Sequence, residues 1–489
     1  MTMTHLGERF DSTKAMLSSC GQDHLLAYYD ALDDAGKAGL LDQIEGIDWP
    51  EVQRLVQAYV INKPAFKLPE NVEPAPWYPR QPHPDQHGLY SRAWDKGVEL
   101  LKSGRLAAFT VAGGQGTRLG WDAPKGTFPA TPITGRPLFA CFADYLHRVT
   151  EKYGAAKPVP WYVMTSPVND ADTRAFFAEH DYFGYDAADV MIFPQAMMPA
   201  FDIDTGKALL ADKGSLALSP NGHGGSLKAL WTSGAIDDMK RRGVTQISYI
   251  QVDNPLVRAI DPLFVGLHAV DGAEMSSKML PKSEPLEKLG NICVVDGKTT
   301  VIEYSDLPDE LAYETMEDGE LRFRAGSIAI HAISVDFVES LNTSPEGFAL
   351  PWHRAEKKVP FIDTQTGQAV SPQTPNAVKL ETFVFDALPM CETSIVYQTE
   401  RTEEFAPIKN ADAPGAKDSP ATSKQLQSDR AAQWLQNAGV KMPWRADGTV
   451  DARVEISQRV AIYADDVEAM TDLPASVPPG GELLIDGSA

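Results

Sequence analysis

The residues best suited to chemistry form a glycine-rich run, Ala112-Gly113-Gly114-Gln115-Gly116-Thr117-Arg118-Leu119-Gly120, followed closely by Pro124-Lys125-Gly126. Glycines carry no Cβ, so backbone N–H groups in such a run can approach a phosphate closely. Arg118 and Lys125 add charge that bare backbone cannot supply. The spacing is not a Walker A motif, since no Gly-Lys-Ser/Thr follows at the right place. It is not the dinucleotide fingerprint either, because Gly114, Gly116 and Gly120 run one residue too long. A tight strand-to-helix turn with exposed basic residues is the plain structural alternative. A second candidate is Asp253, directly after the apolar run Ile247–Val252. A carboxylate at the carboxyl end of a strand in an open α/β sheet lies at the crevice where ligands bind. Mg²⁺ is commonly held by one or two such carboxylates together with substrate phosphates. The alternative for Asp253 is a turn cap ahead of Pro255.

The surrounding pattern supplies elements able to position these groups. Leu106–Ala112 is an apolar run of strand length that ends in the glycines. Helical spacing at Leu138–Val149 follows, then strands at Trp161–Thr165 and Val190–Phe193 around a helix at Asp170–Glu179. A long helix is expected over Ser226–Arg241, and a strand over Ile247–Val252. This alternation predicts an α/β fold with a doubly wound, mostly parallel, Rossmann-like sheet.

Ahead of that sheet, helical spacing over the first hundred residues gives way to a proline-rich extended connector, Pro64 to Pro84. Beyond it, Asp296-Gly297 predicts a hairpin turn between Ile292–Val295 and Thr300–Glu303. Ile328–Val338 and Phe383–Phe385 are expected to complete the β section. Phe405–Ser423 is poor in apolar residues and is expected to be a long loop acting as a lid, followed by a helix near Ser428–Ala438 and a short β-like tail. The expected division is a helical region at 1–104, a catalytic domain at 105–390, and a lid loop with a small α+β domain at 391–489.

Bulk composition narrows the partners. The 489 residues carry a formal net charge of −23, which argues against nucleic acid or an anionic membrane as partner. No apolar run approaches the ~20 residues of a membrane span. Cys20, Cys141, Cys293 and Cys391 are scattered without metal-ligand spacing and read as reduced thiols. A cytoplasmic location is expected.

The stretch from Gly113 through Gly120 to Pro124-Lys125-Gly126 resembles the signature of UTP:sugar-1-phosphate uridylyltransferases, and most closely the eukaryotic-type UDP-N-acetylglucosamine pyrophosphorylase branch. Further segments are similar to that family in the same order. They are Pro160–Ser166, Asp181–Gly184, Gln195 with Met198-Pro199, Gly222–Gly225, Val252–Asn254, Val301–Ser305, Ala325-Gly326, Lys379–Asp386 and Ile408–Asp412. The resemblance implies direct in-line attack of a sugar 1-phosphate on the α-phosphorus of UTP, with Mg²⁺ as cofactor and pyrophosphate as leaving group. It implies catalytic roles for Arg118, Lys125 and Lys409. Ala112, Gly113, Gly114, Gln115, Gly116, Gln195, Gly222, Asp253 and Lys379 would bind the nucleotide, with Asp253 also the metal ligand. His223, Glu303, Tyr304 and Arg324 would bind the sugar.

Two departures bear on the sugar. The acetylglucosamine branch typically has Asn where this chain has His223, and Asn-Ala-Gly-Asn where it has Arg324-Ala325-Gly326-Ser327. N-acetylglucosamine 1-phosphate is the expected acceptor, with a UDP-glucose or broad-specificity activity as the alternative. A non-catalytic nucleotide-sugar binding protein is the alternative of another class. A dinucleotide-dependent oxidoreductase fits poorly: it needs an acidic residue about twenty positions beyond the loop, and Asp144 is somewhat too far and lies on a helix.

Overall fold

The computed structural model describes residues 3–64, 67–345, 347–348 and 350–487; Ala65 and Phe66 of the expected connector lie outside them. The chain forms two compact units, each assembled from three segments. One comprises Met1–Lys67, Gln195–Ser226 and Leu350–Val384; the other comprises Leu68–Pro194, Leu227–Ala349 and Phe385–Ala489.

The larger unit is built on a ten-stranded mixed sheet. Its strands are β1 (Val72–Pro74), β2 (Leu106–Val111), β3 (Trp161–Thr165), β4 (Val190–Pro194), β5 (Gln246–Gln251), β6 (Met275–Pro281), β7 (Gly290–Val295), β8 (Lys298–Ile302), β9 (Ala325–Ser334) and β10 (Val396–Gln398). The main path runs β1-β7-β9-β5-β2-β3-β4. The block β5-β2-β3-β4 is parallel, and β9 joins it antiparallel to β5. Every residue of β2 and β3 is buried, as expected of central strands covered on both faces. Successive side chains of β3 point to opposite faces. Trp161 packs against Phe139 and Phe177 of the helices Leu138–Tyr153 and Asp170–Glu179. Tyr162 donates its hydroxyl to Asp238 of the helix Ala235–Arg242, 2.7 Å away. Helices therefore cover both sides, and the fold is the expected doubly wound α/β arrangement.

Asp296 and Gly297 both have positive φ (49° and 78°), the requirement of a two-residue hairpin turn, and they join β7 to β8. Three local expectations need correction. The long helix over Ser226–Arg241 is two helices, Gly225–Thr232 and Ala235–Arg242, because Gly234 takes φ 79° and ends the ladder. The run Ile328–Val338 is a strand only to Ser334, whose side chain caps the next helix at Phe337 N. Phe383–Phe385 is not a strand: the strand is Ala377–Thr382, and a 3₁₀ turn starts at Val384.

In the smaller unit, the helices Met3–Ser19, Asp34–Glu45 and Trp49–Leu55 share one core with Phe201, Leu210, Leu216, Val378 and Leu380. Asp33 and Asp48 cap the second and third helices by accepting from Gly36 N and Glu51 N. A three-stranded sheet is formed by Trp352–Lys357, Ala377–Thr382 and Phe201-Asp202.

Candidate functional site

The parallel block fixes where the candidate residues of the larger unit emerge. Val111 and Gln251 are register partners at the carboxyl ends of β2 and β5, and Val252 N donates to Val111 O at 3.1 Å. The glycine-rich loop and Asp253 therefore leave the sheet side by side. Strand order also reverses here, since the chain continues from β2 towards β3 on one side and from β5 towards β6 and β9 on the other. Open α/β sheets bind ligands at such switch points.

The loop folds back on itself through short backbone bonds. Gly116 N donates to Ala123 O at 3.0 Å and Lys125 N to Gly114 O at 3.1 Å, which brings Lys125 against the glycines. A Cβ at Gly126 would lie 2.1 Å from the Phe139 ring, so only glycine lets this turn sit on the helix. A Cβ at Gly114 would meet nothing within 4 Å, so that backbone faces open space. On the inner side Ser166 and Asn169 bond to the carbonyl groups of Ala112, Gly113 and Gly114.

Lys125 Nζ lies 3.7 Å from Asp253 Oδ2. Burial lowers the Lys125 pKa, the Asp253 charge opposes that fall, and Lys409 and Arg118 add to it. Three cations and one carboxylate thus share one electrostatic neighbourhood. Arg118 is exposed, while Lys125 is largely covered.

Lys409 reaches this place through a tethered segment of the stretch expected to be a long lid loop. Ile408 is fully buried and its N–H donates to Asp253 O at 2.8 Å. Asn254 donates to Glu404 O at 2.6 Å and accepts from Ala406 N at 3.1 Å. Ser423, expected in the loop, already belongs to the helix Pro420–Asn437 and donates to Ala406 O. Asn254 and Asp418 were missed by sequence reasoning. Asn254 stood in the quoted Val252–Asn254 match without a role, and nothing local marks Asp418. Burial raises the Asp418 pKa, with Lys409 opposing and Asp253 reinforcing the rise.

Elsewhere in the larger unit, Glu303 and Tyr304 follow β8 directly, and Glu303 O accepts from Asp306 N and Leu307 N in a turn. Tyr304 is exposed. Arg324 pairs with Glu320 at 3.3 Å and stacks over the Trp77 ring at 5.3 Å.

In the smaller unit, Gly222 has φ 85°, and a Cβ there would lie 2.3 Å from Thr382 O. The turn is thus confined to glycine. His223 stacks on Phe383, with ring centroids 5.2 Å apart, and its Nδ1 accepts from Val384 N at 3.1 Å. Burial, aided by His353, pushes the His223 pKa down to about 4, so the ring is neutral at pH 7. Gln195 is buried, and its Oε1 has no hydrogen-bond partner among the described residues. Such an orphaned acceptor suits a ligand donor. Lys379 lies on the strand Ala377–Thr382 with Val378 and Leu380 as neighbours, and alternation directs it away from the core those two enter.

Among the described residues no group of three or more His, Cys, Asp or Glu side chains could hold a metal ion, and no helix is long and apolar enough to cross a membrane.

Comparison with known proteins identifies the family. The sequence profile of the family described as UTP–glucose-1-phosphate uridylyltransferase matches residues 72–424. UDP-N-acetylhexosamine pyrophosphorylase-like protein 1 of Xenopus tropicalis is 34% identical, over 96% of this chain and 95% of the relative. UDP-N-acetylglucosamine pyrophosphorylase of Saccharomyces cerevisiae is 32% identical, over 93% of this chain and 96% of the relative. The crystal structure of the uridine diphosphate N-acetylglucosamine pyrophosphorylase of Trypanosoma brucei superposes with a TM-score of 0.80 at 25% identity, covering 98% of both chains. The chain belongs to the UTP–glucose-1-phosphate uridylyltransferase family and is a uridylyltransferase.

Proposed function

We propose that this enzyme transfers the uridylyl group of UTP to N-acetylglucosamine 1-phosphate, yielding UDP-N-acetylglucosamine and pyrophosphate. The observation that carries the reading is the cluster of Arg118, Lys125 and Lys409 around Asp253 at the switch point of the sheet. A phosphate oxygen of the sugar 1-phosphate forms a bond to the α-phosphorus. The bond from that phosphorus to the α,β-bridging oxygen breaks, and pyrophosphate leaves with the electron pair. No covalent enzyme intermediate is needed, so the protein's work is alignment and charge neutralisation. At ~4 Å and an effective dielectric of ~20, one opposite charge contributes about 4 kcal/mol of gross Coulomb energy. Three cations therefore suit a leaving pyrophosphate. Arg118 and Lys125 take the β,γ-phosphates in this reading, with Lys409 on the reacting phosphates and the Ala112–Gly116 backbone along the nucleotide.

A divalent cation fits what is present. Mg²⁺ takes one or two carboxylates and completes its shell with phosphates and water, and Asp253 is a partly open carboxylate among the phosphate-binding candidates. Asp253 would hold the ion, which supplies further neutralisation of phosphate charge when bound. Gln195 and Gly222 are proposed for the base, Lys379 for the nucleotide phosphates, and His223, Glu303, Tyr304 and Arg324 for the sugar.

The names of the relatives support the acetylated sugar, while His223 gives reason to test others. Pyrophosphate release should be measured with UTP, Mg²⁺ and a panel of sugar 1-phosphates. The highest kcat/KM is expected with N-acetylglucosamine 1-phosphate. Preference for glucose 1-phosphate would reassign the sugar, and no release with any sugar would leave a nucleotide-sugar binding protein.

A further inference from the structure

We propose that Ser166 and Asn169 are positioning residues that aim the amides of the glycine-rich loop at a nucleotide phosphate. The inference rests on the reading that this loop binds UTP. Asn169 occupies the N-cap of the helix Asp170–Glu179, yet its side chain makes no capping bond. An asparagine at that position ordinarily accepts from the second or third N–H of its helix. Here the amide turns away from the helix and crosses to the loop. Asn169 Nδ2 donates to Ala112 O at 3.0 Å and to Gly114 O at 3.2 Å, and its Oδ1 accepts from Ser166 N at 2.8 Å. The Ser166 hydroxyl lies 2.9 Å from the carbonyl between them, Gly113 O, and 3.1 Å from Asn169 Oδ1, and shares its one proton between these two acceptors. Asn169 is 0% and Ser166 1% exposed, so these bonds do not compete with bulk water.

Three consecutive carbonyls are thereby drawn to one protein-facing side. In a planar trans peptide the C=O of one residue and the N–H of the next point in opposite directions. Pinning the carbonyls of Ala112, Gly113 and Gly114 therefore directs the N–H groups of Gly113, Gly114 and Gln115 the other way. Those three N–H groups donate to no partner among the described residues, and Gly114 borders open space. The result is a row of amide donors with their carbonyls held back. Glycine peptides rotate easily. Without the clamp a peptide could turn over and present its carbonyl oxygen to a polyanion, replacing attraction with repulsion. A merely structural asparagine would cap its helix; this one forgoes the cap.

The test compares wild type with Asn169→Ser and Ser166→Ala, measuring pyrophosphate release while UTP and the sugar 1-phosphate are varied separately. Serine caps a helix about as well as asparagine, so Asn169→Ser removes the two amide donors without weakening the helix start. We expect the KM for UTP to rise at least about fivefold, the equivalent of one lost hydrogen bond, while the KM for the sugar 1-phosphate stays within about twofold. A folded Asn169→Ser protein with an unchanged KM for UTP, or with both KM values raised together, overturns the proposal. Should that variant fail to fold, Ser166→Ala, which lacks only a hydroxyl, decides by the same criterion. Wild-type protein that releases no pyrophosphate overturns the UTP reading and this inference together. Active wild type with unaltered variants overturns the inference alone.

Discussion

Lys125 Nζ and Asp253 Oδ2 lie 3.7 Å apart, and the two residues come from separate segments that follow adjacent parallel strands rather than from one loop. The carboxylate opposes the loss of ammonium charge that burial favours and holds the lysine beside the glycines. If the lysine neutralises leaving-group charge, its loss should appear in turnover rather than in folding. Lys125→Ala and Arg118→Ala are each expected to lower kcat by more than roughly tenfold, about 1.4 kcal/mol of transition-state stabilisation. Steady-state pyrophosphate release alongside a thermal melt checks this. Near-normal rates in both folded variants would remove the loop from the chemistry.

The same lysine predicts an alkaline limit. Burial lowers the Lys125 pKa from the usual lysine value, with Lys409 and Arg118 contributing and Asp253 opposing. The protonated form is the useful one, so activity is lost as pH rises through that lowered value. The pH profile of kcat/KM for UTP reports the free enzyme. Its alkaline limb should begin below the range of an ordinary lysine. Lys125→Arg retains charge throughout and should move the limb upward. An identical limb in the variant would mean that another group titrates.

The glycine loop, Arg118, Lys125 and Asp253 were legible because each is announced locally, by glycine spacing or by position after an apolar strand. The strands Leu106–Val111 and Trp161–Thr165 were legible as unbroken apolar runs that are buried on both faces. Lys409 was not placed by any local pattern. Its position depends on Ile408 and on Asn254, whose bonds span about 150 residues of sequence. The segment around it holds few apolar residues, so composition suggested a loose lid; the buried Phe405, Ala406 and Ile408 at its start, with the Asn254 bonds, anchor it. Asn169 was obscured for another reason. Its sequence position is that of an ordinary helix cap, and only coordinates reveal that the amide points elsewhere.

The anchor of the Lys409 segment rests in turn on a buried charge cluster, which gives a stability prediction. Lys278 Nζ is fully buried and contacts Asp261 Oδ2 at 2.6 Å and both Glu404 carboxylate oxygens at 2.7 Å. Removing the cation leaves two buried carboxylates facing each other, a change that costs roughly 3–5 kcal/mol in comparable cases. Lys278→Met is therefore expected to lower the urea midpoint strongly. Because Glu404 O also receives Asn254, any folded fraction should have reduced kcat as well. A variant with wild-type midpoint and rate would show that the cluster neither stabilises the fold nor positions Lys409.

Two buried histidines predict weakening in mild acid. Burial pushes the pKa of His268 down to about 3 and that of His223 down to about 4, with His353 aiding the latter. At pH 7 both rings are neutral in the fold, and the unfolded chain gains almost nothing by protonating them. Below about pH 6.5, the ordinary histidine value, the unfolded chain binds protons that the folded protein refuses, so stability falls as pH falls. Each ring contributes a slope of up to about 1.4 kcal/mol per pH unit until the pH passes its folded value. Urea midpoints between pH 7 and pH 4.5 report this contribution, since most carboxylates titrate below that range, and comparison with a variant lacking one ring isolates it. His268 bonds Ser276 Oγ at 2.7 Å and Gln246 Oε1 at 2.9 Å, so His268→Leu should be less stable than wild type at pH 7. It should nevertheless show a shallower decline with acid, because one titrating group is gone. Equal slopes in the two proteins would mean that His268 remains accessible to protons in the fold.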